Sequence, residues 1–173
     1  MEILTVVLSG FVLAFVAPWL DRLCRPWTGW GLAILPLGIA VYVGSLAEQV
    51  AAGRVIRAAY AWMPTFGVEF SFSLDGLSLL FALLISGIGA LILVYSGGYL
   101  AEHPYLGRFY AFLLLFMASM LGLVLADNAI TLFVFWELTS ISSYLLIGFD
   151  HEREASRAAA LQALLITSGG GLA

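Results

Sequence analysis

The chain has 173 residues, 62% of them apolar and 10% charged, with a formal net charge of -4. A soluble domain carries about 25% charged residues, and a core of this length cannot hide so much apolar surface. Disorder, nucleic-acid binding (the seven basic residues are all arginine) and a disulfide framework (Cys24 stands alone) are excluded as well, which leaves an integral membrane protein.

The chain opens Met1-Glu2 with no basic stretch before its first apolar run, so that run is expected to be retained rather than cleaved as a signal. Ile3–Leu20 is uncharged throughout, and a helix needs roughly 20 apolar residues to cross about 30 Å of hydrocarbon. Runs of the same kind follow at Trp27–Ala47, Leu77–Leu100, Phe109–Ala126 and Ala129–Phe149. A sixth begins at Ala158 and continues to Ala173. Strands of a transmembrane barrel would be about ten residues each. The expected fold is therefore an all-α, polytopic bundle with spans near 3–20, 27–47, 77–100, 109–126, 129–149 and an incomplete 158–173.

Between the second and third spans the periodicity changes. Val68, Phe70, Phe72 and Leu74 alternate with Glu69, Ser71 and Ser73, a period-two strand. Pro64-Thr65-Phe66-Gly67 ahead of it signals a turn. A short hairpin on the outer surface is expected, either bracing a neighbouring subunit or standing without a partner.

Arginine bias sets an orientation. Arg22, Arg25, Arg108, Arg153 and Arg157 fall in connections on one side, against Arg54 and Arg57 on the other. That favours an outside N-terminus and short arginine loops in the cytoplasm. Ala118, Gly122 and Ala126 in the fourth span, and Ala82, Ser86 and Ala90 in the third, recur every fourth residue and let helices approach closely. Asp75 and the pair Asp127-Asn128 precede spans, where short polar side chains can accept bonds from the free amides of a helix start. Caps explain them better than ion ligands do.

One acid stands apart. Of the eleven Asp and Glu residues, Glu137 alone lies deep within a span, nine residues after Asn128 and twelve before Phe149. A charge at that depth costs about 2.5–3.5 kcal/mol on insertion scales, so Glu137 must face the bundle or a wet cavity. Ser140 and Tyr144 share its helical stripe, and Thr139, Ser142 and Ser143 widen the polar side. Their hydroxyls can bond the carboxyl group, water or backbone carbonyls of the preceding turn. Glu137 is either a neutral acid joining two helices or a proton-exchanging group in a membrane conduit, and the second reading is the stronger. His103 and His151, beside acids in the arginine loops, read as surface histidines or proton-entry relays. Asp150, Glu152 and Glu154 read as a solvated loop or a proton-gathering mouth.

The run Asp127-Asn128, Phe135-Trp136-Glu137-Leu138-Thr139-Ser140 and Ser143-Tyr144-Leu145-Leu146-Ile147-Gly148-Phe149 resembles the antiporter-like subunits shared by respiratory complex I and the multisubunit Mrp cation/proton antiporters. Asp75-Gly76-Leu77-Ser78-Leu79-Leu80-Phe81 looks like the N-terminal signature of the same superfamily. Phe135 through Arg157, and Gln162 to Thr167 leading to Gly170-Gly171-Leu172-Ala173, are similar to the A-subunit family of Mrp antiporters. The Asn-Arg-Val-Gly-Asp type of sequence usual in complex I relatives is missing around the sixth span, which lowers the quinone-oxidoreductase reading.

This resemblance implies a subunit of a monovalent cation (Na⁺)/proton antiporter, a transporter rather than an enzyme, in a bacterial cell membrane. Its partners would be other antiporter subunits, the lipid bilayer, H⁺ and Na⁺ or another monovalent cation, with no nucleic acid, cofactor or resident metal. Glu137 takes the family's proton-translocating position, with Trp136, Ser140 and Tyr144 as its polar face. In the family the partner of that glutamate is a lysine on a later helix. This chain has no lysine, so it is expected to be the N-terminal part of a longer protein. The alternatives are a proton-pumping membrane subunit of a complex I-like oxidoreductase and a structural or assembly subunit.

Overall fold

A computed structural model describes residues 3–25, 27–63, 65 and 68–172. The predicted turn at 64–67 lies outside the described residues except for Thr65, as do Met1, Glu2 and Ala173, on which the readings of both ends rest. The elements in order are α1 (Ile3–Cys24), α2 (Thr28–Ser45), α3 (Ala47–Ala51), β1 (Ile56–Met63), β2 (Val68–Leu74), α4 (Gly76–Tyr99), α5 (Leu106–Leu125), α6 (Ala129–Ile147) and α7 (Glu154–Leu172). Among the described residues five helical stretches are long and apolar enough to cross a membrane: α1, α2 together with α3, α4, α5 and α6. The molecule is a multi-pass helical membrane protein with one small hairpin. The sixth apolar run forms α7, which starts four residues earlier than Ala158 and, carrying Arg157 and Gln162, is not among those five.

Packing follows the small residues. α5 is the central helix, with twelve buried positions, and it touches α1, α4 and α6. Gly10 of α1 lies against Ala118, and a Cβ at Gly10 would come within 2.8 Å of the Ala118 methyl. Gly122 receives the ring of Phe135 so closely that any side chain there would overlap it. On α4, Ala82, Ser86 and Ala90 are all buried, and Gly89 meets the Met117 sulfur. α2 packs on α4, and α7 lies along α6.

The hairpin pairs β1 and β2 antiparallel, Ile56 opposite Leu74 and Tyr60 opposite Phe70, with an irregularity between Ala61 and Met63. The inner face of the hairpin closes the end of its own bundle, packing on α4, α5 and α6. Phe72 and Leu74 are buried in a core with Val7, Ile39 and Leu121. Phe135 lies near Phe11, Phe70 and Phe72 at ring separations of 6.4, 6.5 and 5.9 Å. The turn between α5 and α6 is stitched to β2: the Asp127 amide donates to the Ser71 carbonyl at 2.9 Å, and the Ser71 amide donates to Thr131 Oγ1 at 3.1 Å.

The opposite end gathers the arginine loops. Arg25 donates to the His103 carbonyl at 2.8 Å, the Tyr105 hydroxyl faces Glu152 at 3.5 Å, and Arg157 donates to the His151 carbonyl at 2.6 Å. His103 and His151 lie beside aromatics here, His103 4.8 Å from the Phe149 ring and His151 5.3 Å from that of Tyr105.

Candidate functional site

The site is built on α6, whose start is fixed by Asn128. The Asn128 side-chain oxygen accepts the Thr131 amide at 2.7 Å, and its amide group donates to the Glu69 carbonyl at 2.8 Å. Asp127 does not cap; it pairs with Arg57 at 3.5 Å. Two turns on, Phe135 is locked into the Gly122 notch, which sets the rotation of the helix about its axis. Glu137 is the ninth residue of α6, about 12 Å along the axis from its start at 1.5 Å per residue. It therefore sits mid-span, half-buried, and faces α7.

α7 supplies the direct partner. The Ser168 hydroxyl donates to Glu137 Oε2 at 3.3 Å. The other oxygen, Oε1, is buried with no hydrogen-bond partner among the described residues. Gly171 faces it: a Cβ there would stand 3.3 Å from Oε1 and 2.5 Å from the Trp136 indole nitrogen. Only glycine lets α7 close over Trp136 and Glu137 this tightly. No arginine pairs with the carboxylate among the described residues.

The hydroxyls of Thr139, Ser140 and Ser142 turn back to their own helix instead of to the carboxyl group. Ser140 Oγ donates to the Trp136 carbonyl at 3.2 Å, Thr139 Oγ1 to the same carbonyl at 2.7 Å, and Ser142 Oγ to that of Leu138 at 2.7 Å. In an apolar slab a backbone carbonyl one turn away is the nearest acceptor, so a hydroxyl satisfies itself locally. Tyr144 is half-buried and makes no bond to Glu137 among the described residues. Trp136 is 39% exposed. On the hairpin side it lines a hollow of about 360 Å³ that is rimmed by Ser73, Asp75 and Ser78.

Asp75 is a cap, as its position suggested. It accepts the Ser78 amide at 2.8 Å, while its own amide donates to Ser78 Oγ at 2.7 Å. The Ser78 amide and hydroxyl hold its carboxyl below the usual carboxylate range. Among the described residues no three His, Cys, Asp or Glu side chains converge as metal ligands.

Comparison with known proteins agrees with this architecture. Residues 62–110 match the family profile described as NADH-ubiquinone oxidoreductase (complex I), chain 5 N-terminus. Residues 126–172 match the one described as NADH:quinone oxidoreductase/Mrp antiporter, TM. The chain thus carries two segments that match the family of antiporter-like membrane subunits shared by NADH:quinone oxidoreductases and Mrp antiporters. It is similar to the A1 subunit of the Na⁺/H⁺ antiporter of Staphylococcus aureus, 48% identical over 167 residues, which cover 96% of this chain and 21% of that protein. It is also similar in structure to a chain of the Mrp complex from Dietzia sp. DQ12-45-1b, with a TM-score of 0.88 and 37% identity, over 99% of this chain and 18% of that one. A chain of the membrane-bound sulfane sulfur reductase, an archaeal respiratory membrane complex, shares the fold at a TM-score of 0.81 and 20% identity, over 98% of this chain and 34% of that one. The chain thus spans about a fifth of the length of the curated relatives it matches.

Proposed function

We propose that the chain is the N-terminal part of the A-type subunit of a multisubunit Na⁺/H⁺ antiporter, and that Glu137 carries protons within it. The observation behind this reading is the state of the carboxyl group. One oxygen is held by Ser168 from a second helix, and the other is buried and unpaired at mid-span among the described residues. Ionisable groups inside a membrane face the bundle interior or a wet cavity and mark proton or ion pathways, and Glu137 sits in such a setting. Ser168 orients the group across the α6–α7 contact, and Trp136 separates it from the polar-rimmed hollow at the hairpin end. Trp136 gates that approach, and Ser140 and Tyr144 shape the same face of α6 without touching the carboxyl. The rest of the conduit, the cation path and the other subunits belong to parts of the assembly beyond these residues.

Exchange of Glu137 for Gln in the assembled complex, reconstituted in liposomes, tests the proposal. Cation-driven proton flux falls to the level of protein-free liposomes while subunit composition stays normal. Undiminished flux assigns the residue to structure alone. A second reading, a proton-pumping subunit of a quinone-linked oxidoreductase, draws on the complex I description of the profile at 62–110. Co-purification of redox subunits in place of small antiporter subunits would select it.

A further inference from the structure

A second buried polar cluster lies away from Glu137, at the arginine-bearing end, where α1, α2, α4 and α5 meet. Asp21 Oδ1, Thr28 Oγ1 and the Tyr110 hydroxyl are buried there with no hydrogen-bond partner among the described residues. The residues themselves are 5%, 5% and 0% exposed. All three line one cavity of about 50 Å³, together with Arg25, Gly97 and Leu106. Glycines make the room: a Cβ at Gly29 would come within 2.8 Å of the Tyr110 hydroxyl, and one at Gly97 within 3.2 Å. Gly107 brings α5 against Pro18 and Asp21 in the same way.

We infer that this cavity is a built hydration site, holding ordered water that bridges Asp21, Thr28 and Tyr110. Three orphaned polar atoms on three helices each carry a desolvation cost that a shared partner removes. A water needs two to four polar partners and about 30 Å³, so the cavity takes one or two. A neutral occupant fits better than a cation. Arg25 already balances Asp21, its Nε lying 3.3 Å from Oδ2, so an added cation would meet a fixed guanidinium with one carboxylate oxygen left for it. Arg25 also donates to the His103 carbonyl and so closes the outer side of the site. The bound water ties α1, α2 and α5 together at the end of the bundle opposite the hairpin. This inference is independent of the role proposed for Glu137.

Radiolytic footprinting of the intact complex tests it, because water held in a cavity oxidises adjacent side chains that bulk solvent never reaches. Tyr110 is labelled several-fold faster than Phe72, which is equally buried but packed in an apolar core. The yield is the same in Na⁺ and in choline buffers, and Tyr110→Phe lowers the melting temperature of the complex. Protection of Tyr110 equal to that of Phe72, together with an unchanged or raised melting temperature for Tyr110→Phe, overturns the inference in favour of a dry cavity. Labelling that falls when Na⁺ replaces choline overturns it in favour of a cation site.

Discussion

Glu137 is tolerated at mid-span because a second helix closes over it, and the fit depends on a hydrogen atom at position 171. A Cβ at Gly171 would press on the Trp136 indole, whereas one at Gly170 would meet nothing within 4 Å. Gly171→Val should therefore displace Trp136 and cut proton flux several-fold, while Gly170→Val, on the same helix and with the same loss of glycine, should leave flux near wild type. Equal losses in the two variants would show that helix propensity matters here and the contact does not. Asp75 makes a different kind of prediction. Losing an N-cap costs about 1 kcal/mol, and the Asp75 carboxyl is held below its usual range by Ser78. A depressed carboxylate stabilises the fold fully above its unfolded pKa of about 3.9 and loses that contribution as pH falls through the folded value. Asp75→Ala should lower the melting temperature at neutral pH, and the gap from wild type should narrow in acid. A gap that stays constant with pH would argue against the charged cap.

At the scale of elements, the hairpin and the α5–α6 turn are joined by contacts of unequal weight. The Arg57–Asp127 pair is largely exposed, with side chains 71% and 31% accessible, and such pairs contribute about 0–1 kcal/mol. Phe72 is fully buried, and truncating a buried phenylalanine costs about 3–5 kcal/mol. Phe72→Ala should therefore lower the melting temperature of the detergent-solubilised complex far more than Arg57→Ala, and the reverse order would mean that the pair, not the packing, seats the hairpin. The strand at 68–74 was readable because Val68, Phe70, Phe72 and Leu74 alternate with polar residues. Its partner strand was not, since Arg57-Ala58-Ala59 has no such contrast and is set by pairing with β2. The Asn128 cap was legible from local chemistry. Ser168 was not, because it meets Glu137 across 31 residues of sequence and nothing in a helical period reports which helices adjoin. Hydroxyls spaced to reach a carboxyl group are equally spaced to reach the carbonyl one turn back, so Ser140 could be assigned to either until the geometry was known.

For the molecule as a whole, hydropathy was decisive about the bundle, since runs of some twenty apolar residues have few other places to go. It was less informative about how deeply each acid is buried and what holds it. Asp21 is at the end of a span by sequence yet buried at a junction of helices, while Glu137 is mid-span yet only half-buried among the described residues. Both carboxylates have one oxygen engaged and one unpaired among the described residues, but Asp21 is paired with an arginine and Glu137, among those same residues, is not. That difference is why proton exchange is assigned to α6 and a fixed polar junction to α1. The most direct measurement is infrared difference spectroscopy of the reconstituted complex as an imposed cation gradient is reversed. A protonated-carboxyl band that appears on reversal, shifts in heavy water and is missing from Glu137→Gln is the predicted result. The same band persisting in Glu137→Gln would contradict the account, because the moving proton would then reside elsewhere.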